Sequence, residues 1–303
     1  MSIFNKKKIL VTHNGAFHAD DIFASAVLSI LNKNQVKIIR TRDPKIIAKG
    51  DYVYDVSGEY DGIRFFDHHQ KGGAGARANG IPYSSFGLVW RAFGEEICGS
   101  KEAAKIIDEK IVQSVDSVDN GIDLMTPNFE DRKFYSASAI FLACYPTWKE
   151  NTLDVDKIFG KEVKRVITLL KREIQVAEAD VEGKEIILKA YNEAENKQII
   201  ILDKTLPRYL IQDVLPKFTE PIYFIYPSGY SGSWKVEAVR KNLTTYESRK
   251  LFPELWRGLM NNDPELVKAT GVEDIQFCHQ SGFFIQVGSK EGAKKLAEKA
   301  LIA

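Results

Sequence analysis

Cysteine is scarce in this sequence, and the three that occur (Cys98, Cys144 and Cys278) lie far apart and form no C-x-x-C pair. Their number and spacing argue against a disulfide framework and against a thiolate zinc site, and they favour a reducing compartment. Long apolar runs are also missing, and the basic N-terminal residues 1–8 lack the apolar core of a signal peptide. We therefore expect no membrane span and a cytoplasmic location.

An excess of charge of either sign is absent as well. The chain has 42 lysine and arginine residues against 41 aspartate and glutamate residues, for a net charge of +1. The overall charge therefore does not predict a nucleic-acid partner, although a basic groove is compatible with a balanced total. The length of 303 residues suits two domains, or one large one, with enough chain to bury a proper core.

Histidine is rare too, but it is clustered: four of the five histidines lie in the first quarter of the chain, close to aspartates. The triplet Asp67-His68-His69 follows the apolar residues 63–66 and precedes a glycine-rich stretch, so we expect it where a strand ends in a loop. Ligands of α/β proteins bind at the carboxyl ends of strands. Three adjacent metal-capable side chains at such a place therefore predict a site, and this explanation is favoured over chance clustering.

Two further candidate ligands are also predicted at strand ends. Residues 8–13 predict a buried strand that ends at His13, and residues 52–56 predict a strand with Asp55 near its end. A capped turn explains Asp55 equally well when that residue is considered alone. In a parallel sheet with right-handed crossovers, however, the carboxyl ends of the strands share one edge. That edge would bring His13, Asp55 and Asp67 together.

Helical segments supply the remaining acidic candidates. Residues 19–31 repeat apolar side chains at helical spacing, which places His18 and Asp20 where a strand passes into a helix. The helix dipole also favours a carboxylate there, so a plain cap is a fair alternative for one of Asp20 and Asp21. A second predicted helix covers residues 101–118. Near its end, the carboxylates at 116 and 119 share one face beside the apolar stripe, where a metal or another cation would compensate them.

Imidazole and carboxylate ligands without thiolates suit a divalent ion, and we favour manganese over magnesium, iron, cobalt or zinc. The candidates outnumber the ligands that one tetrahedral ion needs, so two ions that share a carboxylate are the more economical arrangement. Asp67 is the best candidate for that shared ligand, and His69 is expected to contact the phosphate or the leaving group of a substrate. The predicted metal ligands are His13, His18, Asp20, Asp55, Asp67, His68, Asp116 and Asp119.

The pattern along the chain predicts two lobes. Residues 1–150 form the metal-binding lobe, residues 151–182 a long charged connector helix, and residues 183–303 a smaller α/β lobe with its own sheet and core. In the second lobe we expect strands at residues 186–188, 199–202, 222–226, 234–240 and 283–287, and helices at residues 206–215 and 292–301. The overall expectation is an α/β fold with a parallel sheet in the first lobe.

Several of these segments resemble a known family. The triplet at 67–69, with a His/Asp-rich turn upstream and aspartates downstream, is similar to the DHH phosphoesterase superfamily. More specifically, residues 12–21, 84–90, 115–121 and 233–239 resemble the MYG family, also described as metal-dependent protein hydrolases. The resemblance covers almost the whole chain. It implies a two-domain DHH-phosphoesterase-like fold and a metal-dependent exonuclease acting 3′ to 5′ on RNA.

The superfamily motifs correspond to the candidate ligands found above. The first motif corresponds to His13, His18 and Asp20, the second to Asp55, the third to Asp67-His68-His69, and the fourth to Asp116 or Asp119. The resemblance assigns the catalytic role to the third motif. One position departs from the superfamily pattern: His18 stands where an aspartate is usual, which lowers the negative charge around the metals and puts a pyrophosphatase activity in doubt.

The second lobe resembles a substrate-binding lobe in divergent form. A glycine-serine loop at residues 229–233 could present backbone N–H groups to phosphate, and aromatic side chains there, Tyr230 and Trp234, could stack on bases. Ordinary turns explain these segments equally well. The candidate substrate-binding residues are Ser231, Gly232, Trp234, Arg240, His279, Ser281 and Gly282.

Three functions follow as alternatives. The first is a two-metal exonuclease on single-stranded RNA or DNA, and the resemblance favours it. The second is a small-molecule phosphohydrolase acting on pyrophosphate, a dinucleotide or a cyclic dinucleotide, and the balanced charge favours it. The third is a metal-stabilised protein without turnover. The expected partners are single-stranded nucleic acid or a small phosphoester, and formation of a homo-oligomer is left open.

Overall fold

The computed structural model describes residues 7–126, 128–129, 132, 134–150, 154–229, 232–261 and 263–303. Tyr230 and Ser231, two of the residues named above as candidates for substrate binding, lie outside the described residues. The chain divides into two compact units, residues 1–179 and residues 180–303.

A four-stranded parallel sheet forms the centre of the first unit. Its strands are β1 (Lys8–Thr12), β2 (Val36–Arg40), β3 (Tyr52–Tyr54) and β4 (Phe65–Phe66), in the order β2-β1-β3-β4. Every neighbouring pair is parallel. Parallel sheets are usually buried on both faces, and the completely buried Leu10, Val11 and Val53 agree with this. The predicted parallel sheet is confirmed.

Helices cover this sheet and build the rest of the unit. They are α1 (Ala19–Leu31), α2 (Pro44–Ile47), α3 (Ser85–Cys98), α4 (Lys101–Ile107), α5 (Gln113–Asp119), α6 (Ala137–Cys144) and the part of α7 (Val155–Glu193) that precedes residue 180. A π-helical turn, Asp108–Val112, joins α4 to α5. The predicted continuous helix at 101–118 is therefore interrupted by a wider turn, a feature that is frequent at functional sites.

The second unit contains a mixed sheet of five strands. These are β5 (Ile199–Ile201), β6 (Tyr223–Pro227), β7 (Trp234–Ala238), β8 (Ile275–Cys278) and β9 (Phe284–Val287), in the order β5-β6-β7-β9-β8. Only the β5–β6 pair is parallel. The helices are α8 (Arg208–Val214), α9 (Pro264–Thr270) and α10 (Lys290–Ile302), with short 3-10 turns at Leu215–Lys217 and Glu254–Trp256.

One predicted strand is wrong. Residues 186–188 belong to the 39-residue helix α7, which continues to Glu193 and so passes the expected connector end at residue 182. Within this triplet Ile187 is fully buried and Leu188 is 40% exposed. Ile187 packs with Ile200 and Leu210 in a core of the second unit. A short apolar run cannot be assigned to a strand or a helix by composition alone, and here the helical neighbours on both sides decided the outcome.

No helix in the described part of the chain is both long enough and apolar enough to cross a bilayer.

Candidate metal centre

The sheet brings three candidate ligands to one edge. His13 follows β1, Asp55 follows β3 and Asp67 follows β4, and these strands run parallel. Each side chain therefore leaves the sheet at a carboxyl end, as the strand-end argument predicted. All three residues are at most 4% exposed.

Asp55 occupies the middle of this cluster. Its Oδ2 lies 3.1 Å from Nε2 of His13, and its Oδ1 lies 3.4 Å from Nδ1 of His69 and 4.0 Å from Nδ1 of His68. The backbone of Asp55 has a φ of 58°, in the left-handed region that aspartate tolerates better than most residues. This conformation ends β3 and directs one carboxylate towards several imidazoles.

Asp67 is held from several sides. Its Oδ2 accepts a hydrogen bond from the Gly58 backbone N–H at 2.7 Å, and its Oδ1 accepts one from the His69 backbone N–H at 3.0 Å. The same Oδ1 lies 2.8 Å from Nδ1 of His69. The ring of His69 is thereby oriented although 63% of its side chain is exposed. The role of Asp67 as a shared ligand stays a prediction; among the described residues Asp67 belongs to one metal-capable donor group and Asp55 to two.

Helix α1 contributes the most unusual carboxylate. Both oxygens of Asp20 are buried and have no hydrogen-bond partner among the described residues, and the residue is fully inaccessible to solvent. Burying an unpaired carboxylate costs several kcal/mol unless a cation compensates it. One oxygen of Asp20 lies within 4.8 Å of donor atoms of His18 and Asp119. A metal ion bound by these three residues would provide the cation that the buried Asp20 carboxylate lacks.

Three donor groups overlap at this edge of the sheet. Within each group, one donor atom per residue lies within 4.8 Å of all the others. Asp55 belongs to two of the groups and His18 to two, so the groups form one continuous centre. The members are His13, His18 and Asp55; then Asp55, Asp67, His68 and His69; then His18, Asp20 and Asp119.

The electrostatics of the centre favour a bound cation. Burial lowers the pKa of His13, but the Asp21 and Asp55 carboxylates outweigh it and raise that pKa to about 10. Burial, together with the charges of Asp55 and Asp119, raises the pKa of Asp20 well above its usual range. Without a metal, protons therefore neutralise part of the excess negative charge.

Asp67 shows the opposite balance to Asp20, whereas His68 shows the same balance as His13. Burial raises the pKa of Asp67, but hydrogen bonds from Gly58 and His69 outweigh it, so the net pKa is lowered. Burial lowers the pKa of His68, but contact with Asp119, whose Oδ2 lies 3.0 Å from His68 Nε2, raises it overall. The centre therefore mixes ionised carboxylates with groups that hold protons, and only the latter must lose them to a metal.

Metal affinity is expected to rise with pH. Because the pKa values of His13, His68 and Asp20 are raised, an incoming ion must displace protons, and it does so more easily as pH increases between about 6 and 8. Titration calorimetry with Mn²⁺ in buffers of different ionisation enthalpy should show proton release and a Kd that falls as pH rises. A Kd independent of pH, with no proton released, would contradict this balance.

The structure separates the two carboxylates at the end of α5. Asp119 joins the metal-capable groups, whereas Asp116 is bound elsewhere. Oδ1 of Asp116 accepts hydrogen bonds from Ser84 Oγ at 2.5 Å and from the Gly87 N–H at 3.0 Å, and its Oδ2 lies 2.7 Å from Nη1 of Arg77. A Cβ added at Gly87 would lie 1.9 Å from that carboxylate, so this position requires glycine. Asp116 holds α3, α5 and the loop at Arg77 together.

Asp21 takes the role of helix cap that the sequence left open between it and Asp20. Its Oδ1 accepts a hydrogen bond from the His18 backbone N–H at 3.0 Å, which closes a capping box at the start of α1. Its Oδ2 lies 3.3 Å from Nε2 of His13. The cap thereby also holds an imidazole of the centre.

A cavity of about 820 Å³ opens over the centre. Its polar lining includes the donor residues described above except Asp20, and its apolar lining comes partly from α5 and α6 through Val118, Ala139 and Leu142. Arg42, which the sequence analysis did not select, also lines it. Arg42 stands just beyond β2, so the same strand-end argument could have found it.

The candidate substrate residues of the second unit do not converge on one place. Gly232 and Trp234 lie at the start of β7, where Trp234 pairs with Val287. Arg240 lies beyond the other end of β7, roughly 20 Å away along an extended chain. The turn that contains His279, Ser281 and Gly282 is at Arg240's end, because Ala238 N donates to Phe283 O. Neighbouring strands of an antiparallel hairpin run in opposite directions, so the candidate residues fall at two opposite ends of the strands.

Local contacts account for several of these second-unit side chains. The Arg240 guanidinium lies 4.5 Å from the ring centre of Tyr246, and Lys290 lies 5.4 Å from that of Trp234. His279 Nδ1 accepts a hydrogen bond from the Ser281 N–H at 3.0 Å. A Cβ at Gly282 would lie 2.5 Å from the Arg257 side chain. These contacts within the second unit explain these candidate residues without a substrate.

Fold and centre together define an α/β protein with clustered aspartate and histidine groups that could bind metal. Residues 9–301 match the family model MYG1_exonuc, described as "Uncharacterised protein family (UPF0160)". This chain belongs to that family. It is similar to the MYG1 protein of Saccharomyces cerevisiae, with 30% identity in an alignment of length 329. That alignment covers 97% of this chain and 96% of the yeast protein. It is also similar to the human protein named MYG1 exonuclease, with 31% identity over 330 residues, 96% of this chain and 85% of the human protein.

Proposed function

We propose that this protein is a metal-dependent phosphodiester hydrolase that acts as a 3′–5′ exonuclease on single-stranded RNA. The observation that carries the proposal is the set of three overlapping donor groups that share Asp55 and His18. The donor chemistry fits a divalent ion, since it offers imidazoles and carboxylates without thiolates. The unpartnered buried oxygens of Asp20 support the same conclusion.

Two adjacent ions fit this donor set better than one. His13, His18 and Asp55 would hold one ion, and Asp55 would be shared with a second ion held with His68. Asp20 and Asp119 supply further ligands beside them. When bound, such a pair generates a nucleophile from water at neutral pH and stabilises the charge of phosphoryl transfer. The preferred ion in the proposal is Mn²⁺.

His69 is the proposed proton donor to the leaving oxygen. Its Nδ1 faces Asp67 at 2.8 Å, and its Nε2 makes no hydrogen bond to any described residue. A carboxylate beside one imidazole nitrogen fixes the orientation of the ring. It also stabilises the protonated ring, whose other nitrogen can then donate a proton to the leaving oxygen. His69 also lines the cavity and is the most exposed imidazole of its donor group, which suits contact with a substrate.

The choice of substrate rests on the relatives and on the cavity. The human relative is named an exonuclease, and the resemblance to the MYG family implies RNA. The near-neutral charge of the chain favours few phosphate contacts, so binding should depend only modestly on salt. A small-molecule phosphohydrolase is the second candidate, because one arginine and no lysine line the cavity among the described residues.

The test uses chelator-stripped protein with Mn²⁺, Mg²⁺ or Zn²⁺ added back. A 5′-labelled single-stranded RNA should yield a ladder of shortening labelled products, whereas the same RNA labelled at its 3′ end should release labelled mononucleotide at once. Matched DNA, a duplex, a dinucleotide and pyrophosphate are the comparison substrates, and stripped protein without metal is the control. Rapid cleavage of dinucleotide or pyrophosphate with the longer strands left intact would replace the exonuclease with the small-molecule activity. No hydrolysis of any substrate would overturn both.

A further inference from the structure

The cavity over the metal centre contains a basic side chain that no ion pair or hydrogen bond occupies. Within the described residues, Arg42 has no such partner, although the Asp55 and Asp67 carboxylates line the same cavity. By contrast, its neighbour Arg40 is buried and bonded to Asp156 at 2.7 Å and to the Gly15 carbonyl at 2.8 Å. The two arginines of this strand end therefore have different roles, and the role of Arg42 is not structural.

The backbone around Arg42 is fixed on both sides. Before it, the Thr41 N–H donates to the Thr12 carbonyl at 2.8 Å, which extends the β1–β2 pairing beyond β2. After it, the Asp43 carboxylate caps α2 by accepting from the Lys45 N–H at 2.8 Å. The guanidinium thus extends from a fixed backbone beside the cavity.

We infer that Arg42 binds a phosphate of the substrate and that an apolar wall of the same cavity receives the terminal nucleoside. A guanidinium binds phosphate through two parallel hydrogen bonds and stays charged at every physiological pH. The wall consists of Val118, Ala139 and Leu142, and 65% of Leu142 is exposed. Apolar contact of this kind accepts any base, since it makes no hydrogen bond to a base edge. This assignment rests on the proposed function and gives the site its substrate class, the end of a nucleotide chain.

The size of the cavity agrees with that class. Its volume of about 820 Å³ lies within the range of pockets that enclose a single small ligand. The single arginine among the described lining residues provides for one phosphate, the number that a terminal nucleotide carries. The cavity is therefore suited to a terminal nucleotide.

The test measures equilibrium binding of AMP, inorganic phosphate and adenosine to the Mn²⁺-loaded protein by calorimetry. Arg42→Ala should weaken AMP and phosphate binding at least about tenfold, the effect of losing a charged hydrogen bond, and should leave adenosine binding unchanged. Leu142→Ser should weaken AMP and adenosine and leave phosphate unchanged. Arg42→Lys should recover part of the AMP affinity, since it keeps the charge but not the planar fork. Lys45→Ala, an exposed charge removed three residues away, is the matched control and should bind like wild type.

Binding requires no turnover, so this result is separable from the hydrolysis test. Arg42→Ala with AMP affinity within about twofold of wild type, or wild type that binds no AMP, would overturn the assignment. Where RNA is hydrolysed, Arg42→Ala should also raise KM more than it lowers kcat, as loss of ground-state binding predicts. Absence of hydrolysis with AMP binding that depends on Arg42 would reject the proposed function and retain the phosphate site.

Discussion

Asp55→Asn is expected to abolish metal-dependent hydrolysis while leaving the fold intact. The Asp55 carboxylate belongs to two of the three donor groups and faces His13 at 3.1 Å and His69 at 3.4 Å. Replacing even an indirect partner of a metal ligand costs 10–100-fold, so loss of a shared ligand should cost at least about 100-fold in kcat/KM. Asparagine keeps the size of the side chain and tolerates the left-handed backbone at this position, so the variant tests the charge alone.

Thermal unfolding separates this effect from misfolding. In the wild type, Mn²⁺ should raise Tm because it binds the folded state, whereas in Asp55→Asn that rise should be lost and the metal-free Tm little changed. Asp43→Asn, an exposed aspartate at the start of α2, is the matched control and should retain both the Tm rise and the activity. An Asp55→Asn protein that keeps more than about a tenth of the wild-type rate would exclude Asp55 as the shared ligand.

The second large effect is on stability. Arg77→Ala should lower the free energy of unfolding by about 3–5 kcal/mol at neutral pH, the usual cost of removing one partner of a buried ion pair. The Arg77 side chain is 8% exposed, and its Nη2 lies 2.6 Å from Asp108 while its Nη1 lies 2.7 Å from the fully buried Asp116. Without the guanidinium, Asp116 keeps a buried charge that only Ser84 and Gly87 stabilise.

The deficit should shrink at low pH. Burial raises the pKa of Asp116 to about 6, although Ser84 and Arg77 lower it. Because the folded-state pKa lies above the unfolded value, ionisation of Asp116 lowers the stability as pH rises from the unfolded pKa to the folded pKa. Without Arg77 the folded-state pKa is higher still, so the loss of stability is larger and continues to higher pH. Urea unfolding at about pH 8 and about pH 5 should give a smaller difference between variant and wild type at the lower pH.

Arg91→Ala serves as the comparison for this substitution. Arg91 also lies over the Tyr83 ring, at 5.4 Å compared with 4.4 Å for Arg77, but it is exposed. Its removal should change stability by no more than about 0.5 kcal/mol at either pH. A deficit of similar size in both variants, or one independent of pH, would mean that the Asp116 pair contributes little.

The sequence by itself determined the elements that carry short-range signals. Apolar runs between turn residues located β1 to β4 of the first unit, and the parallel sheet that we expected of them is the one the structure has. The position of His13, Asp55 and Asp67 at one edge is a consequence of that topology. This position could be predicted from the sequence because, in a parallel sheet, all residues at the carboxyl ends of the strands lie at the same edge, whatever packs above the sheet.

Tertiary packing decided the rest. The sequence left Asp116 and Asp119 as equal candidates on one helical face, and contacts from α3 and from Arg77 took Asp116 away from the centre. Residues 186–188 joined α7 because Ile187 packs into a core formed by distant segments. In each case the deciding contact joins residues far apart in sequence. The free energy gained by burying a side chain depends on the residues around it in space, and local composition does not specify those residues.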